Sequence, residues 1–558
     1  MVAIEPVSGP PSGQWACIVT VRRDDAHVAA VRANLLTRSM AMLSNDRSSS
    51  GPVAARAFHR AIALMFLVAW LSLASQVDVL IGSRGLLPIR AFLDAVRERH
   101  LPFSEFPTLL RFWSTDTALH AGIAAGIACS LFALAGLVPR VCVALNTALY
   151  LSFVIACRTF MRFQWDSLLL EAGALAVFLP RERRATWIHF LFRVLIFKLY
   201  FESGIAKWQS MLHDWQSGAA MTLYYETAPL PTRLAWSTHH LPVWWHHLES
   251  WGTLAVELIV PFFVFGGRRM RLVAAFVFSA FQLGNIATAN YGFFSYLSLL
   301  LSVFLLSDRD LKRAWLRLLR AVPPRVRRLR APAWMRPRYL PRLRIARMAV
   351  ATLYTAFYLS ASAYDALVQF VANPHWQERL DRFDGIERRY REFRLVNSYH
   401  LFASITTLRI EPEFQTFDGD TWTPHDLRYK PGTPGRAPPF VAPHQPRVDF
   451  QLWFYGVSLT PPSQDIDASE YVRAAALRRI PTYVVTLLER LCRDPRAVQP
   501  LFDASLDPHP EAVRIAFWEY HFTTVAERED GRGWWSRRYL GETQGVPCWR
   551  RGVTTQPD

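Results

Sequence analysis

The amino-acid sequence predicts an all-α polytopic membrane helix bundle of about nine spans, followed by a C-terminal extramembrane domain that is mixed and β-rich. Composition is the first observation: 51% of the 558 residues are hydrophobic, including 37 Phe and 20 Trp, although 63 residues are Arg or Lys. A soluble protein with so many charges rarely carries this apolar content. Second, the apolar residues gather in runs of bilayer-spanning length. Third, strand-like alternation and Pro-rich loops replace these runs after residue 373.

Nine apolar runs are the predicted spans of a transmembrane domain over residues 56–372. They lie at residues 61–77, 118–137, 141–157, 164–180, 187–206, 249–266, 271–289, 291–306 and 348–372. Residues 1–55 are polar and lack the apolar run and small-residue cleavage site of a secretory signal. We expect them to form a disordered tail, unless translation starts at Met40 or Met42.

The distribution of basic residues predicts the orientation. If the N-terminus is cytoplasmic, three basic segments also face the cytoplasm: Arg140, the arginines of 181–184 and the arginines of 268–271. The connector over residues 308–347, which contains 14 Arg and Lys but only two Asp, is then cytoplasmic as well. This arrangement satisfies the positive-inside rule, although Arg158 and Arg162 then fall outside. Nine crossings put residues 373–558 on the extracytoplasmic side.

The net charge is +18, and the basic residues lie at the ends of apolar runs. This placement indicates that the protein binds anionic lipid rather than nucleic acid. Only four of the 63 basic residues are lysines, a usage typical of GC-rich genomes. We therefore expect a multi-pass protein of a bacterial inner membrane that contacts membrane lipids and no nucleic acid.

Asp166 and Glu171 interrupt the predicted span 164–180, where an unpaired carboxylate is unfavourable. Five residues of helix separate them by about 140°, so we expect them to meet different partners. The candidate partners are Arg158, Arg162, Arg193 and Lys198. Either the two carboxylates clamp helices together or they take part in substrate or proton chemistry.

Polar groups near other spans offer further candidates. Lys198 and Glu202 are four residues apart on one predicted helix, a spacing that predicts an internal ion pair. Tyr224, Tyr225 and Glu226 are candidates for the lip of a site, because a carboxylate beside two phenols can orient hydrogen bonds.

Histidines also cluster in the aromatic loop 207–248. They are His239, His240, His246 and His247. Their spacing fits no familiar ligand set, so an aromatic and imidazole belt at the membrane surface competes with a metal or haem site.

The C-terminal domain over residues 373–558 combines strand and helix patterns. Alternation predicts strands near 405–414, at Trp422 with 426–430, and at 513–525, while 468–500 is helical. A Pro-rich loop at 430–447 is expected to cross a surface. Of six cysteines, Cys492 and Cys548 are the two that can meet in this domain, and whether they pair stays open.

Seven separated motifs resemble the lipase maturation factor family over residues 58 to 545. They are FQWDSLLLEAGALAVFLP, YYETAPLPTRLAWSTHHLP, ELIVPFFVFGGRR, NYGFF, FRLVNSYHLFASITTLR, RYKPGTPGRAPPFVAPHQPRVDFQLWF and GWWSRRYLGE. The loop after Lys207 departs from the family pattern. Carried over residue by residue, the resemblance points to Trp165, Asp166, Glu171, Tyr224, Glu226, Asn290, Tyr291, Arg394, Asn397, Tyr399, Lys430, Pro431, Gly432, Pro443, His444, Arg447, Asp449 and Trp453. None of them is a catalytic residue that the family defines.

Two functions of different classes follow. The resemblance implies a chaperone-like assembly factor that assists the folding or assembly of secreted enzymes such as lipases, with Trp453, Phe454 and Tyr455 in contact with the client. The alternative is a membrane-embedded enzyme acting on a lipid or quinone-like substrate, because the helical half is distantly similar to that of vitamin K-dependent carboxylases. Asp166, Glu171, Lys198 or the histidines would then be its acid–base groups. No cofactor or metal is expected in either case, since the sequence holds no phosphate loop or metal-ligand spacing.

Overall fold

The computed structural model describes residues 51–180, 185–319, 344–371, 380–463, 465–476 and 480–548. Every predicted span coincides with helix. The helices are Pro52–Ala74, Asp116–Ala135, Pro139–Ala156, Gln164–Val177, Thr186–Trp208, Val243–Leu258 with its 3-10 extension Val260–Phe265, Arg268–Thr288, Phe294–Leu301 with Ser302–Leu305, and Arg344–Phe370. Shorter helices at Val77–Ile81, Ile89–Glu98, Arg158–Met161, Ala220–Thr227, Arg233–His239 and Asp308–Leu319 connect them, with a 3-10 turn at Leu109–Arg111. The predicted tail ends early, because helix already begins at Pro52; its residues 1–50 lie outside the described ranges, as do residues 320–343 of the basic connector.

Within the described ranges, five helices are long and apolar enough to cross a membrane. They are Pro52–Ala74, Asp116–Ala135, Pro139–Ala156, Val243–Phe265 and Arg268–Thr288. A multi-pass membrane protein is therefore confirmed, and the count of nine spans is not. Two of the other predicted spans are short: Gln164–Val177 has 14 residues, and the apolar segment Phe294–Leu305 is of the 10–17-residue class.

The helix ends form two opposite layers. In one layer, Asp308 accepts the Gly51 N–H at 2.9 Å, Arg140 Nε donates to the Val177 carbonyl at 2.6 Å, and Arg268 pairs with Asp310 at 2.6 Å. The opposite layer meets the C-terminal domain. Arg140 and Arg268, from two of the basic turns, therefore lie at one end of the bundle, and the C-terminal domain covers the other.

An antiparallel sheet is the centre of the C-terminal domain. Its strands are β1 Ile410–Phe417, β2 Trp422–His425, β3 Ala512–Phe522, β4 Trp535–Glu542 and β5 Val546–Pro547. The spatial order is β2-β1-β3-β4, with β5 also paired to β3. Phe414 lies opposite Ile515 in the β1–β3 register, and both side chains are buried. The predicted strand at 513–525 is thus β3, whereas 426–430 is not a strand and forms one isolated bridge, Leu427 to Phe502.

Helices flank the sheet. They are Asp384–Arg391, Arg447–Ser458, Ala468–Ala476, Thr482–Arg493, Pro495–Val498 and Val525–Glu529, with 3-10 turns at Asp381–Phe383 and Gln499–Leu501. Cys492 and Cys548 form a disulfide that ties the helix Thr482–Arg493 to the chain after β5.

The helix Arg447–Ser458 joins the sheet to the bundle. Its Gly456 lies so close to β1 that a Cβ would collide with the Ile410 carbonyl oxygen, and only Gly allows this approach. Its first residue, Arg447, reaches into the bundle. One hydrophobic core, containing Leu168 of the bundle and Phe517 of β3, therefore runs through both halves.

A buried polar seam between the helices and the sheet domain

Buried charged and amide side chains lie where the bundle meets the C-terminal domain, and we call this layer the polar seam. It is built from Ser72, residues 150–226, Glu257, Asn290 and Tyr358 of the helical half and from residues 394–453 and 519–522 of the C-terminal half. Burial of a charge without a partner is strongly unfavourable, so each contact in the seam has an energetic consequence.

Asp166 and Arg447 form a fully buried bidentate ion pair. Arg447 Nη1 donates to Asp166 Oδ2 at 2.6 Å and Nη2 to Oδ1 at 2.9 Å. The Tyr150 hydroxyl donates to Oδ1 at 2.6 Å, and Arg447 also donates to the Phe160 carbonyl at 3.0 Å. The planar guanidinium thereby satisfies a carboxylate that lies in the first turn of Gln164–Val177. None of the four candidate partners from the sequence is used here.

Glu171 accepts four hydrogen bonds from three parts of the chain. Lys198 and the Tyr358 hydroxyl donate to Oε1 at 3.2 and 2.6 Å, while Asn397 and the Tyr399 hydroxyl donate to Oε2 at 2.9 Å each. The sequence correctly predicted that Asp166 and Glu171 meet different partners. Lys198, one of the four candidate partners, pairs with Glu171, whereas the predicted ion pair between Lys198 and Glu202 was wrong.

Glu202 and Lys207 anchor the backbone that precedes the sheet. Glu202 accepts the Tyr399 N–H at 2.8 Å. Lys207 forms an ion pair with Glu257 at 2.8 Å and donates to the Leu401 carbonyl at 2.7 Å. Because one helix supplies both groups, residues 399–401 are fixed to the end of Thr186–Trp208.

Asn290 and Ser72 hold the Pro-rich loop inside the seam. The Asn290 side chain accepts the N–H groups of Val441 and Ala442 and donates to the carbonyls of Leu230 and Pro439, at 2.7 to 3.1 Å. Ser72 accepts the Gln445 N–H at 3.0 Å. The prediction that this loop simply crosses a surface was therefore wrong, although Phe440 at its tip is 60% exposed.

His444 follows the same loop and packs under it. Its Nδ1 lies 3.0 Å from Ser72 Oγ. Burial, together with the charge of Arg447, lowers the pKa of His444 from 6.5 to about 4. The imidazole is therefore neutral at physiological pH.

Glu411 links two buried cations beneath the sheet. Its carboxylate pairs with Lys430 at 2.7 Å and with Arg409 at 2.8 Å. Arg409 also donates to the Glu226 and Pro229 carbonyls at 2.9 and 3.1 Å. Burial lowers the pKa of Lys430 to about 8, although Glu411 opposes the shift.

Asp449 lies beside this group and accepts the Tyr429 N–H at 3.2 Å. Burial raises the pKa of Asp449 to about 6, while the charge of Lys430 lowers it. Asp449 therefore fixes the chain next to Lys430 through a backbone contact.

Glu226 connects the helical half to β3. His521 Nδ1 lies 2.9 Å from Glu226 Oε1, and the Phe522 N–H donates to Oε2 at 2.8 Å. His521 Nε2 lies 3.0 Å from Glu519. Hydrogen bonds to Glu226 and Glu519 raise the pKa of His521 from the ordinary 6.5 to about 10. The imidazolium therefore lies between two carboxylates.

The predicted histidine and tyrosine candidates are dispersed around Glu226. His239 Nε2 is 3.7 Å from Glu226, whereas His240 bonds the Trp236 carbonyl at 2.7 Å. Tyr224 shares a hydrogen bond with Tyr291, and Tyr225 donates to Glu249 at 3.0 Å. Across the described ranges, no group of three or more His, Cys, Asp or Glu is arranged to hold a metal ion.

Three further candidates lie beside a large cavity of about 1170 Å³. Trp165 stacks on Phe163, with ring centroids 4.4 Å apart, and Trp453 donates to the Thr227 carbonyl at 2.8 Å. Arg394 faces the cavity together with Asn397. Trp453 is half-buried and Tyr455 is buried, so the expected contact of Trp453, Phe454 and Tyr455 with a client was wrong for Tyr455.

Three of the acid–base groups of the enzyme hypothesis do not line the cavity. Asp166, Glu171 and Lys198 are absent from the cavity wall and are held in the ion pairs described above. The geometry therefore gives no support to the membrane-enzyme alternative.

Comparisons with known proteins identify the family. Residues 53–313 match the lipase maturation factor transmembrane domain, and residues 395–545 match the lipase maturation factor C-terminal domain. Lipase maturation factor 1 of Bos taurus is 30% identical over 519 residues, which cover 86% of this chain and 86% of the relative. The chain belongs to the lipase maturation factor family. The resemblance read from the seven motifs is confirmed.

Other members of the lipase maturation factor family show similar coverage. Lipase maturation factor 2 of Homo sapiens is 28% identical over 87% of this chain and 81% of its own length. Lipase maturation factor 1 of Homo sapiens is 27% identical, over 86% and 85%. No solved structure matches the chain.

The polar seam joins the two family domains, and sequence reasoning missed several of its residues. They are Ser72, Tyr150, Lys207, Tyr358, Arg409, Glu411, Glu519 and His521. A signal was present for some of them: Arg409, Glu411 and Glu413 alternate at the start of an otherwise apolar strand, a pattern that indicates charges on one buried face. Tyr150 and Tyr358 carried no such signal, since a lone tyrosine in an apolar run is ordinary.

Proposed function

We propose that this protein is a membrane-bound maturation factor that assists the folding or assembly of exported enzymes such as lipases, without itself being an enzyme. The observation that carries the proposal is the match of both family domains, together with relatives named lipase maturation factor that align over more than four-fifths of either chain. The buried ion pairs of the polar seam support it, because they hold charges in place instead of offering them to a substrate.

The proposed role requires the C-terminal domain, residues 373–558, to face the side on which exported proteins fold. We place it outside the cytoplasm of a bacterial inner membrane, and the N-terminus inside. Three observations support this orientation: two of the basic turns share the layer of helix ends opposite the domain, a disulfide joins Cys492 to Cys548, and Trp244 and Trp251 are exposed near the domain side. Disulfides persist in oxidising compartments, and Trp is enriched at membrane surfaces.

The client would meet a fixed surface. Because the polar seam anchors the sheet through buried charges, the domain does not swing away from the bundle without exposing them. Exposed apolar side chains on this domain include Phe440, Tyr539 and Val546. We assign client contact to these exposed side chains, since aromatic groups supply much of the interface energy.

The test compares exported lipases from a strain that lacks this protein with those from the same strain complemented with the full chain. We expect the specific activity and the assembled fraction of at least one lipase to fall on deletion and to return on complementation. Complementation with Glu171→Gln, in a variant that still folds, is a second arm; full rescue is expected because Glu171 is not assigned to chemistry. Unchanged specific activity of every exported lipase after deletion contradicts the proposal.

A further inference from the structure

The cavity of about 1170 Å³ lies at the domain side of the bundle and has two chemically different regions. One region is apolar and includes Leu199, Phe281 and Phe294 from three helices. The other carries Arg162, Arg391 and Arg394. Typical small-ligand sites measure roughly 300–1,000 Å³, so the space suits an occupant with a long apolar body.

The arginine end holds positive charge in excess of its carboxylates. Arg158 pairs with Glu392 at 3.6 Å, and Arg391 is 3.5 Å from Glu387. Within the described ranges, Arg162 and Arg394 form no ion pair, and Arg394 Nε is buried with no hydrogen-bond partner. Burial lowers the pKa of Arg394; the charge of Glu392 opposes this shift, and the charges of Arg162, Arg391 and Arg158 add to it. An anion at this end would relieve that repulsion.

The carboxylates that face the cavity are already in use. Glu257 pairs with Lys207, Glu249 accepts the Tyr225 hydroxyl, and Asp365 accepts the Tyr390 hydroxyl at 3.0 Å. In the part of the chain that the structure describes, none of these carboxylates forms an ion pair with Arg162 or Arg394. The cavity therefore combines two arginines that lack an ion-pair partner with apolar walls.

We propose that this cavity binds an anionic phospholipid, with its phosphate against Arg162 and Arg394 and an acyl chain along Leu199 and Phe281. Charge complementarity favours an anionic ligand at the arginines. Arg162 lies at the end of the bundle that meets the polar seam, which in the proposed orientation is the depth of the outer-leaflet headgroups. The lipid is a bound component and undergoes no chemistry. This inference is independent of the client, because it concerns a site inside the bundle.

Phosphatidylglycerol and phosphatidylcholine are the two lipids used to test the proposal. The full chain is purified in mild detergent, exchanged against either lipid in mixed micelles, and its retained lipid is measured by mass spectrometry. We expect tighter retention of phosphatidylglycerol, and about tenfold weaker retention in the double variant Arg162→Gln/Arg394→Gln, as for loss of a charge-assisted contact. Retention of phosphatidylcholine, whose choline cation offsets the charge of its phosphate, should change less than that of phosphatidylglycerol. The matched control is Arg389→Gln, an exposed arginine of the helix Asp384–Arg391 that is absent from the cavity wall.

A second variant tests the apolar region without touching a charge. A Cβ at Gly284, on the cavity wall, would meet no atom within 4 Å, so Gly284→Phe fills the cavity without a clash at its Cβ. We expect it to reduce retention of both lipids, whereas Leu283→Phe, which enlarges an exposed side chain one residue earlier, should not. Tryptophan fluorescence melting establishes that each variant is folded.

Three results overturn the proposal. They are equal retention of phosphatidylglycerol by a folded double variant and the wild type, equal retention by Gly284→Phe and the wild type, or a stoichiometric peptide in place of lipid. If the double variant does not fold, Gly284→Phe decides alone. The lipid measurement needs no client, so its failure is separate from failure of the maturation role.

Discussion

Burial of either Arg447 or Asp166 without the other would strongly destabilise the folded protein. Moving an ion of this size out of water costs several kcal/mol even after the protein relaxes, and the attraction within a pair offsets this only with good geometry and further hydrogen bonds. The Tyr150 hydroxyl and the Phe160 carbonyl supply those bonds. The pair therefore fixes where the C-terminal domain sits more than it adds net stability.

Removal of Arg447 alone should be strongly destabilising. In Arg447→Met, Asp166 remains buried without a cation, and we expect a loss of about 3–5 kcal/mol in the free energy of unfolding. The double variant Asp166→Asn/Arg447→Met should recover much of that loss, because no charge is left buried and the amide oxygen still accepts the Tyr150 hydroxyl. Thermal unfolding in detergent, followed by tryptophan fluorescence, measures both.

Arg84→Met is the matched control. Arg84 also joins the two halves, through Asp494, but its side chain is 64% exposed. Exposed pairs contribute little, so a small change is expected. A loss for Arg447→Met no larger than that for Arg84→Met would show that the buried pair does not anchor the domain.

His521 should give the attachment of β3 a pH dependence. Its pKa in the folded protein is about 10, against 6.5 when unfolded. A raised pKa stabilises the folded state fully below pH 6.5, and this contribution is lost as the pH rises through about 10. We therefore expect the melting temperature of the wild type to fall, relative to that of His521→Asn, between pH 6.5 and 10.

The difference between the two proteins is the measured quantity. Lys430, with its pKa lowered to about 8, acts in the opposite direction over part of this range in both, so the subtraction removes its effect. His509→Asn, in an exposed turn, is the control and should follow the wild type. Parallel curves for wild type and His521→Asn would refute the role given to His521.

At this scale the sequence reveals charges but not their partners. Asp166 and Glu171 stand out because carboxylates in apolar runs are rare. Their partners Arg447 and Tyr399 lie 281 and 228 residues further along the chain, and local spacing carries no information about such contacts. The same limit explains Lys198: a neighbour four residues away predicted a pair with Glu202, and tertiary packing placed Glu171 closer.

Among the secondary-structure elements, the helix Gln164–Val177 shows why the predicted spans were only partly correct. Its 14 residues measure about 21 Å, less than a hydrocarbon core of about 30 Å. Arg447 and Asn397 from the C-terminal half reach Asp166 and Glu171 at and near its first turn. The apolar pattern identified the helix correctly. It does not reveal that the C-terminal half, rather than lipid, surrounds the first turns of this helix, because that depends on tertiary packing.

The Asn290 side chain holds the Pro-rich loop through three backbone hydrogen bonds, to Pro439, Val441 and Ala442. Asn290→Ala removes them and leaves the N–H groups of Val441 and Ala442 without their acceptor, so the loop should open more often. We expect faster cleavage by chymotrypsin after the exposed Phe440, by about thirtyfold if two bonds of roughly 1 kcal/mol each act on opening. Cleavage is followed by gel electrophoresis of the detergent-purified protein.

Asn285→Ala, earlier on the same chain segment, is the control and should be cleaved like the wild type. Equal cleavage of Asn290→Ala and Asn285→Ala would mean that the loop is held by its other contacts, such as the Ser72 bond to Gln445.

The helical half and the C-terminal domain are more closely integrated than the amino-acid composition suggests. The change in residue pattern near 373 predicts two domains, and the family models also end and begin on either side of it, at residues 313 and 395. Yet the hydrophobic core is continuous and the polar seam crosses the boundary. Composition reveals where a pattern changes, whereas the interlocking depends on contacts between distant residues.

The proposed orientation predicts which end of the chain meets which compartment. In a bacterial host, alkaline phosphatase fused after Asp558 should be active, and green fluorescent protein fused there should be dark. The Cys492–Cys548 disulfide adds a chemical readout, because it requires an oxidising side. In intact cells quenched with a thiol alkylator, the wild type should migrate differently with and without reductant, and Cys492→Ser/Cys548→Ser should not. An active cytoplasmic reporter together with free thiols at both positions would reverse the orientation, and would leave the sheet domain where no exported client passes.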